Sequence, residues 1–156
     1  MLNIKMEIKT DAFENFGKIP ERYTTDGINV NPKLLISNIP KGAKSLVLIV
    51  DDPDAQRVCG FTWVHWVVFD ILVSSDKLTI EENSIPGVAG ESTYKKKDYG
   101  GPNPPKGTGI HNYFFKFFAL DKTLDLEEMT SLEKIEQEMQ GHILDKAEIV
   151  GTYSGE

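Results

Sequence analysis

Five consecutive apolar residues, Leu46 to Val50, run straight into the turn-forming sequence Asp51-Asp52-Pro53-Asp54. A strand with one wet face alternates apolar and polar residues. An unbroken apolar run this short, closed by turn residues, reads instead as a central strand covered on both faces. It falls far short of the roughly 20 residues that a membrane helix needs, so the covering layers have to come from the rest of the chain. Two segments suit that role. Phe61 to Leu72 is rich in Trp, Val and Phe and apolar on both faces, and His111 to Leu120 (HNYFFKFFAL) is strongly aromatic, as a packed, pleated surface requires.

Shorter strands are expected where Ile4, Met6 and Ile8 alternate with polar residues, at Leu34 to Ser37, and at about Glu148 to Tyr153. One helix is expected near residues 131–140. Thr130 and Glu133 have capping-box spacing, Leu132, Ile135 and Met139 share a face, and Gly141 can close the end. From Gly17 to Pro32 the chain carries Pro20, Asp26-Gly27 and Asn31-Pro32, all turn formers. Residues 73–110 read as mostly loop, broken by Pro86-Gly87, Gly90, Gly100-Gly101 and the Pro/Gly-dense run from Pro102 to Gly109. A loop of that length is either functional or disordered. The pattern predicts a mostly β chain, all-β or α+β in class: a β-sandwich with a peripheral helix, forming one domain over 1–156.

Composition narrows the function. With 156 residues the chain removes roughly two-thirds of its unfolded surface from water, so it needs no disulfide or metal staple. Cys59 is the lone cysteine, which fits a reducing, cytoplasmic setting, and Met1-Leu2-Asn3-Ile4-Lys5 lacks a signal-peptide pattern. The net charge of -7 opposes nucleic-acid binding, and the one basic run, Lys95-Lys96-Lys97, reads as a solvated loop. No membrane-spanning segment or basic amphipathic helix is expected.

Three places carry candidate chemistry: the Asp51–Ala55 turn, the strand Trp63-Val64-His65-Trp66, and the segment that opens at His111. Period-2 geometry puts Trp63, His65 and Val67 on one face, and His111, Tyr113 and Phe115 on another, so two histidines can converge. Asp52, at the end of the central strand, can orient an imidazole and keep it partly protonated. An imidazolium beside glycine amides suits a phosphate or carboxylate. Each piece also has a plainer reading. A histidine between two tryptophans is commonly a hydrogen-bonded core residue, Asp51 and Asp54 beside Pro53 make an Asx-type turn, and Cys59 is a small packed or loop thiol.

Enzymatic readings are weaker. There is no Gly-x-Ser-x-Gly elbow, and no serine adjoins either histidine strand. His65, His111, His142 and Cys59 lack close metal-ligand spacing. Lys106-Gly107-Thr108 has the wrong order for a phosphate-binding loop that enters a helix, and Pro102, Pro104 and Pro105 carry no amide hydrogen. No catalytic residue, metal or cofactor is therefore assigned. His142, just after Gly141, is expected to cap or pack the helix end.

In number, order and spacing these segments resemble the phosphatidylethanolamine-binding protein family, also called Raf-kinase-inhibitor-like proteins, and in particular its short bacterial and archaeal branch. The resemblance rests on Ile19-Pro20, Tyr23-Thr24-Thr25-Asp26-Gly27, Val50 to Ala55, Trp63 to Val68, Tyr99-Gly100-Gly101-Pro102 with Pro104-Pro105, His111 with Tyr113, Ala119-Leu120-Asp121, Gly141-His142 and Gly151-Thr152-Tyr153. It covers nearly the whole chain. It implies a β-sandwich with peripheral helices and a small pocket for phosphate, phosphoethanolamine-type headgroups or acetate. Carried over by position, Asp52, His65 and His111 form the pocket, Gly101, Pro104 and Pro105 its wall, and Tyr113 follows the second histidine. Gln56 stands where the family usually has a second proline, and Asn112 where an arginine commonly separates His and Tyr. The C-terminal helix that borders the pocket in eukaryotic relatives is expected to be missing, leaving a more open pocket.

The resulting expectation is a non-enzymatic binding or regulatory protein for a small anionic or phosphorylated ligand. The resemblance also implies a protein partner, either a kinase, a phosphoprotein or a serine protease, and a homodimer. Two alternatives stand beside it: a serine protease inhibitor acting through an exposed loop such as Glu82 to Asp98, and a phosphoester or lipid-ester hydrolase depending on His65 or Cys59.

Overall fold

The computed structural model describes residues 4–156. Met1-Leu2-Asn3, the start of the segment read above as lacking a signal-peptide pattern, lie outside the described residues. In chain order the strands and helices are β1 (Glu7–Lys9), β2 (Gly17–Lys18), β3 (Leu34–Ser37), β4 (Ser45–Asp52), α1 (Gln56–Cys59), β5 (Trp63–Leu72), β6 (Leu78–Ile80), β7 (Val88–Ala89), β8 (His111–Leu120), α2 (Leu132–Met139) and β9 (Ile143–Tyr153). They form a three-stranded sheet ordered β1-β3-β6 and a six-stranded sheet ordered β2-β9-β8-β4-β5-β7.

The two sheets face each other across the main core. Ile8, Leu34, Ile36 and Ile80 of the small sheet, with Met6 just ahead of β1, pack on Leu46, Leu48, Val50, Trp66, Phe115 and Phe117 of the large one. A second apolar layer lies on the outer face of the large sheet, where Val47, Ile49, Val67 and Phe69 meet Ile135 and Met139 of α2. This explains the uninterrupted apolar run: alternate residues of β4 enter different layers, and all eight residues of the strand are buried. The result is a β-sandwich with peripheral helices.

Several local expectations shift. Ile4 is 73% exposed, so the first strand is shorter than its alternation suggested. The α2 cap is Ser131, whose Oγ accepts from the Lys134 amide at 3.2 Å. Thr130 instead donates its hydroxyl to the Glu127 carbonyl, because the helix starts one residue later than the capping-box spacing implied. Gly141 does close the helix, at φ 81°. β9 begins at Ile143 rather than Glu148, and β6 and β7 lie inside the stretch read as loop. The segment Glu82 to Asp98 is not a free extended loop: Val88 and Ala89 pair with β5, Glu82 is held by Arg22, and Tyr94 folds inward.

The period-2 expectation that Trp63, His65 and Val67 share a face fails at His65, the first of two irregularities in the β4–β5 pairing. Asp51 pairs with Val64 while Val50 pairs with Trp66, so His65 is the extra residue of a β-bulge. Beyond it the faces switch: Trp66 and Val68 enter the inter-sheet core, and Val67 points to the α2 layer. A bulge lets neighbouring side chains share a face and re-aims one of them. Here it turns His65 toward the end of the sandwich.

Candidate functional site

Antiparallel pairing places the C-terminal end of β4 beside the N-terminal ends of β5 and β8. Asp52, His65 and His111 therefore meet at one end of the strands of the large sheet although they are distant in sequence. Above them lies a cavity of about 200 Å³, walled on one side by Ala55, Val58 and Cys59 from the α1 turn and on the other by Asn103, Pro104 and Pro105. Trp63 and Tyr94 complete the lining. Asp52 and His65 are each 3% exposed, and His111 is 1% exposed.

The hydrogen bonds define a proton inventory. His65 Nδ1 lies 2.7 Å from the Gly100 carbonyl oxygen. A carbonyl only accepts, so Nδ1 carries the hydrogen and neutral His65 presents a bare lone pair at Nε2. No partner for that Nε2 is found among the described residues. Burial drives the His65 pKa down to about 4, against the pull of the Gly100 and Gly101 carbonyls, with His111 adding a small repulsion. Near neutral pH the ring is uncharged.

His111 is spoken for on both sides. Its Nδ1 is 2.6 Å from Asp52 Oδ2, and its Nε2 is 3.0 Å from Thr108 Oγ1. The Thr108 hydroxyl itself donates to the Pro105 carbonyl at 2.6 Å, so it accepts from His111 Nε2–H. One more proton is then shared between His111 Nδ1 and Asp52. Burial raises the Asp52 pKa; the hydrogen bond and charge of His111 oppose this, as does a weaker pull from the Asp54 backbone N–H, which does not reach hydrogen-bonding geometry. Asp52 Oδ1 is buried without a partner among the described residues.

Aromatic rings fix both imidazoles. Tyr113 stacks on His111 at 6.3 Å and meets His65 edge-on at 5.2 Å, while Tyr94 meets His65 edge-on at 5.4 Å. Tyr94 donates its hydroxyl to the Gly101 carbonyl, and burial, then the Asp52 charge, pushes its pKa up to about 12. Arg57 braces the rim. It pairs with Asp54 at 2.9 Å and donates to the Thr108 and Ile110 carbonyls at 2.8 and 2.9 Å. Burial pulls the Asp54 pKa up, but the Asn112 amides and Arg57 outweigh it and the net shift is downward. Asn112 thus holds Asp54 through its backbone and side chain, while Gln56 binds the Thr62 hydroxyl.

Of the residues singled out from sequence, Asp52, His65, Pro104, Pro105 and His111 line the cavity. Tyr113 and Gly101 lie behind it. The glycine amides that were expected to face an anion are already used, Gly101 N–H on Asn29 Oδ1 and Gly100 N–H on the His65 carbonyl. Gly101 is a packing residue: a Cβ there would run into the Tyr23 carbonyl. His142 pairs with Asp121 at the surface, and its amide donates to the Met139 carbonyl. Sequence reasoning missed Tyr94, Arg57 and the role of Thr108. An aromatic inside a polar lysine-rich loop, and one of only two arginines beside the Asp-Pro-Asp turn, were the available signals. Among the described residues no group of His, Cys, Asp and Glu side chains is arranged to hold a metal ion, and no helix is long and apolar enough to cross a membrane.

Comparison with known proteins agrees with this architecture. The profile of the phosphatidylethanolamine-binding protein family matches residues 9–154. A UPF0098 protein of Methanothermobacter thermautotrophicus is 43% identical over 155 residues, covering 95% of this chain and 98% of its own. Another, from Aquifex aeolicus, is 41% identical over 153 residues, covering 95% and 88%. The crystal structure of a phosphatidylethanolamine-binding protein homologue from Chlamydia trachomatis has a TM-score of 0.88 at 36% identity, covering 97% of this chain and 99% of its own. Escherichia coli YbcL shares the fold, with a TM-score of 0.87 at 23% identity over 98% of this chain and all of that one.

Proposed function

Because the chain belongs to the phosphatidylethanolamine-binding protein family, we propose that it is a non-catalytic binding protein whose Asp52/His65/His111 cavity takes the phosphate-type end of a small molecule or of a phosphorylated side chain. The observation that carries this is the cavity floor. Two buried imidazoles packed on Tyr94 and Tyr113, and a buried carboxylate, leave His65 Nε2 and the buried Asp52 Oδ1 without hydrogen-bond partners among the described residues. Buried polar atoms are nearly always satisfied, and orphaned ones at a cavity are a place for a guest. A cavity of about 200 Å³ suits a headgroup rather than a whole lipid or nucleotide.

Asp52, His111 and Thr108 lie in a line like that of a nucleophilic triad, yet the proton count runs the wrong way. A catalytic base must accept the hydroxyl proton of its nucleophile. Here the Thr108 hydroxyl directs its proton to the Pro105 carbonyl and accepts from His111, which is the donor. Cys59 is exposed, with its Sγ 3.5 Å from the Phe61 carbonyl oxygen and no imidazole among its hydrogen-bond partners.

Calorimetric titration of phosphoethanolamine and O-phosphoserine tests the proposal. Saturable binding is expected in the wild type and its loss in His65→Ala, with no product from either compound or from generic esters. Turnover that disappears in Thr108→Ala or Cys59→Ala would replace binding with hydrolysis. Equal binding by folded His65→Ala would place the ligand elsewhere.

A further inference from the structure

Two of the hydrogen-bonding groups left free at the cavity floor are acceptors. His65 Nδ1 is tied to Gly100, which leaves the lone pair of Nε2. Asp52 Oδ1 is a second acceptor, on a residue that carries or shares a negative charge. The charged and backbone donors that usually cradle an anion are engaged or missing, and within the lining Trp63 Nε1–H is the one buried donor without a partner among the described residues. Both glycine amides are used, Pro104 and Pro105 have none, the Tyr94 hydroxyl is on Gly101, and Arg57 is spent on Asp54 and two carbonyls outside the lining. Within the lining, the side-chain amide of Asn103 and the Cys59 thiol are neutral groups on the two walls. The titratable groups that face His65 are Asp52, Cys59, Tyr94, His111 and Tyr113, and the one imidazole among them, His111, has both ring nitrogens engaged, by Asp52 and Thr108.

A fully ionised tetrahedral anion can accept from Trp63 Nε1–H but brings only lone pairs to the acceptors His65 Nε2 and Asp52 Oδ1. A phosphate group that keeps one proton brings a donor as well as acceptors. Resting on the reading of this cavity as a phosphate-type site, we propose that it selects the protonated form, with the ligand P–OH donating to His65 Nε2, and that it rejects sulfate. Phosphate monoesters lose their second proton near pH 6, at roughly the value given for phosphorylated side chains, so a usable monoanion persists at neutral pH. Sulfate has no proton to give there.

Titrations of inorganic phosphate, O-phosphoserine and sulfate into the wild-type protein near pH 7 decide the matter. Sulfate is expected to bind at least about tenfold more weakly than phosphate. O-phosphoserine affinity is expected to fall about tenfold between pH 7 and pH 8, following loss of the ligand's proton, and that of inorganic phosphate, which holds its proton to higher pH, to fall by less. Asp52→Asn, which removes the charge and adds an amide donor, is expected to bring the two affinities within about threefold if it folds. Sulfate binding as tightly as phosphate to the wild type, with the same pH dependence, would mean that His65 takes up a proton to receive a dianion and would overturn the inference while leaving the site in place. No binding of any of the three would overturn both this inference and the function from which it starts.

Discussion

Replacing His111 with alanine removes one half of a buried pair and leaves the other half without any hydrogen-bond partner among the described residues. In the wild type, Asp52 Oδ2 is 2.6 Å from His111 Nδ1 and Oδ1 has no partner. In His111→Ala both carboxylate oxygens are orphaned on a residue that is 3% exposed. Breaking a buried ion pair by removing one partner costs about 3–5 kcal/mol, or roughly 6–20 °C in Tm for a chain of this size. The cost has a definite pH dependence. Burial already raises the Asp52 pKa, and loss of the opposing His111 hydrogen bond and charge raises it further. Above the unfolded carboxyl value, the folded variant then binds more protons than the unfolded chain, so its stability falls as pH rises through the raised pKa. Urea unfolding of variant and wild type at about pH 5 and about pH 7.5, read by linear extrapolation, should show the larger deficit at the higher pH. A deficit below about 1 kcal/mol, or one equal at both pH values, would refute the description of Asp52 and His111 as a charge-sharing buried pair.

His65 titrates with the opposite sense. Its pKa is lowered from 6.5 to about 4, so its contribution is complete above pH 6.5 and is lost as pH falls through that window, by about 3 kcal/mol in total. His65→Gln should flatten this acid limb of the stability profile. Gly101→Ala should destabilise by about 1–3 kcal/mol through collision with the Tyr23 carbonyl and should weaken ligand binding, because Gly101 also accepts from Tyr94; an unchanged urea midpoint would contradict the packing role. Ser131→Ala should cost about 1 kcal/mol through loss of the α2 cap, and an effect near zero would move the cap elsewhere.

The sandwich was legible in the sequence because its centre is unusually explicit. A strand covered on both faces cannot alternate, and the run at Leu46 to Val50 says so directly, while β3 and β8 were located to the residue. β6 and β7, three and two residues long, lack the length to generate a periodic signal. At the site, Asp52, His65 and His111 stood out because polar residues in or beside apolar strands need a reason. The geometry that joins them was not legible. Strict period-2 reasoning sent Val67 to the His65 face, whereas a one-residue bulge hands that face to Trp66. A bulge is a property of two paired strands and leaves little mark on one of them. The glycine amides were misread for a related reason, since their partners, Asn29 and the His65 carbonyl, are set by tertiary contacts.

The most direct test of the binding site is the imidazole ¹⁵N NMR spectrum during titration with phosphoethanolamine near neutral pH. Only three histidines are present, and His142, at the surface beside Asp121, serves as an internal control. A saturable shift at His65 Nε2, accompanied by a smaller one at His111 and none at His142, is the expected result. Shifts confined to His142, or no shift at any ring of the folded protein, would contradict a phosphate-type pocket built on Asp52, His65 and His111.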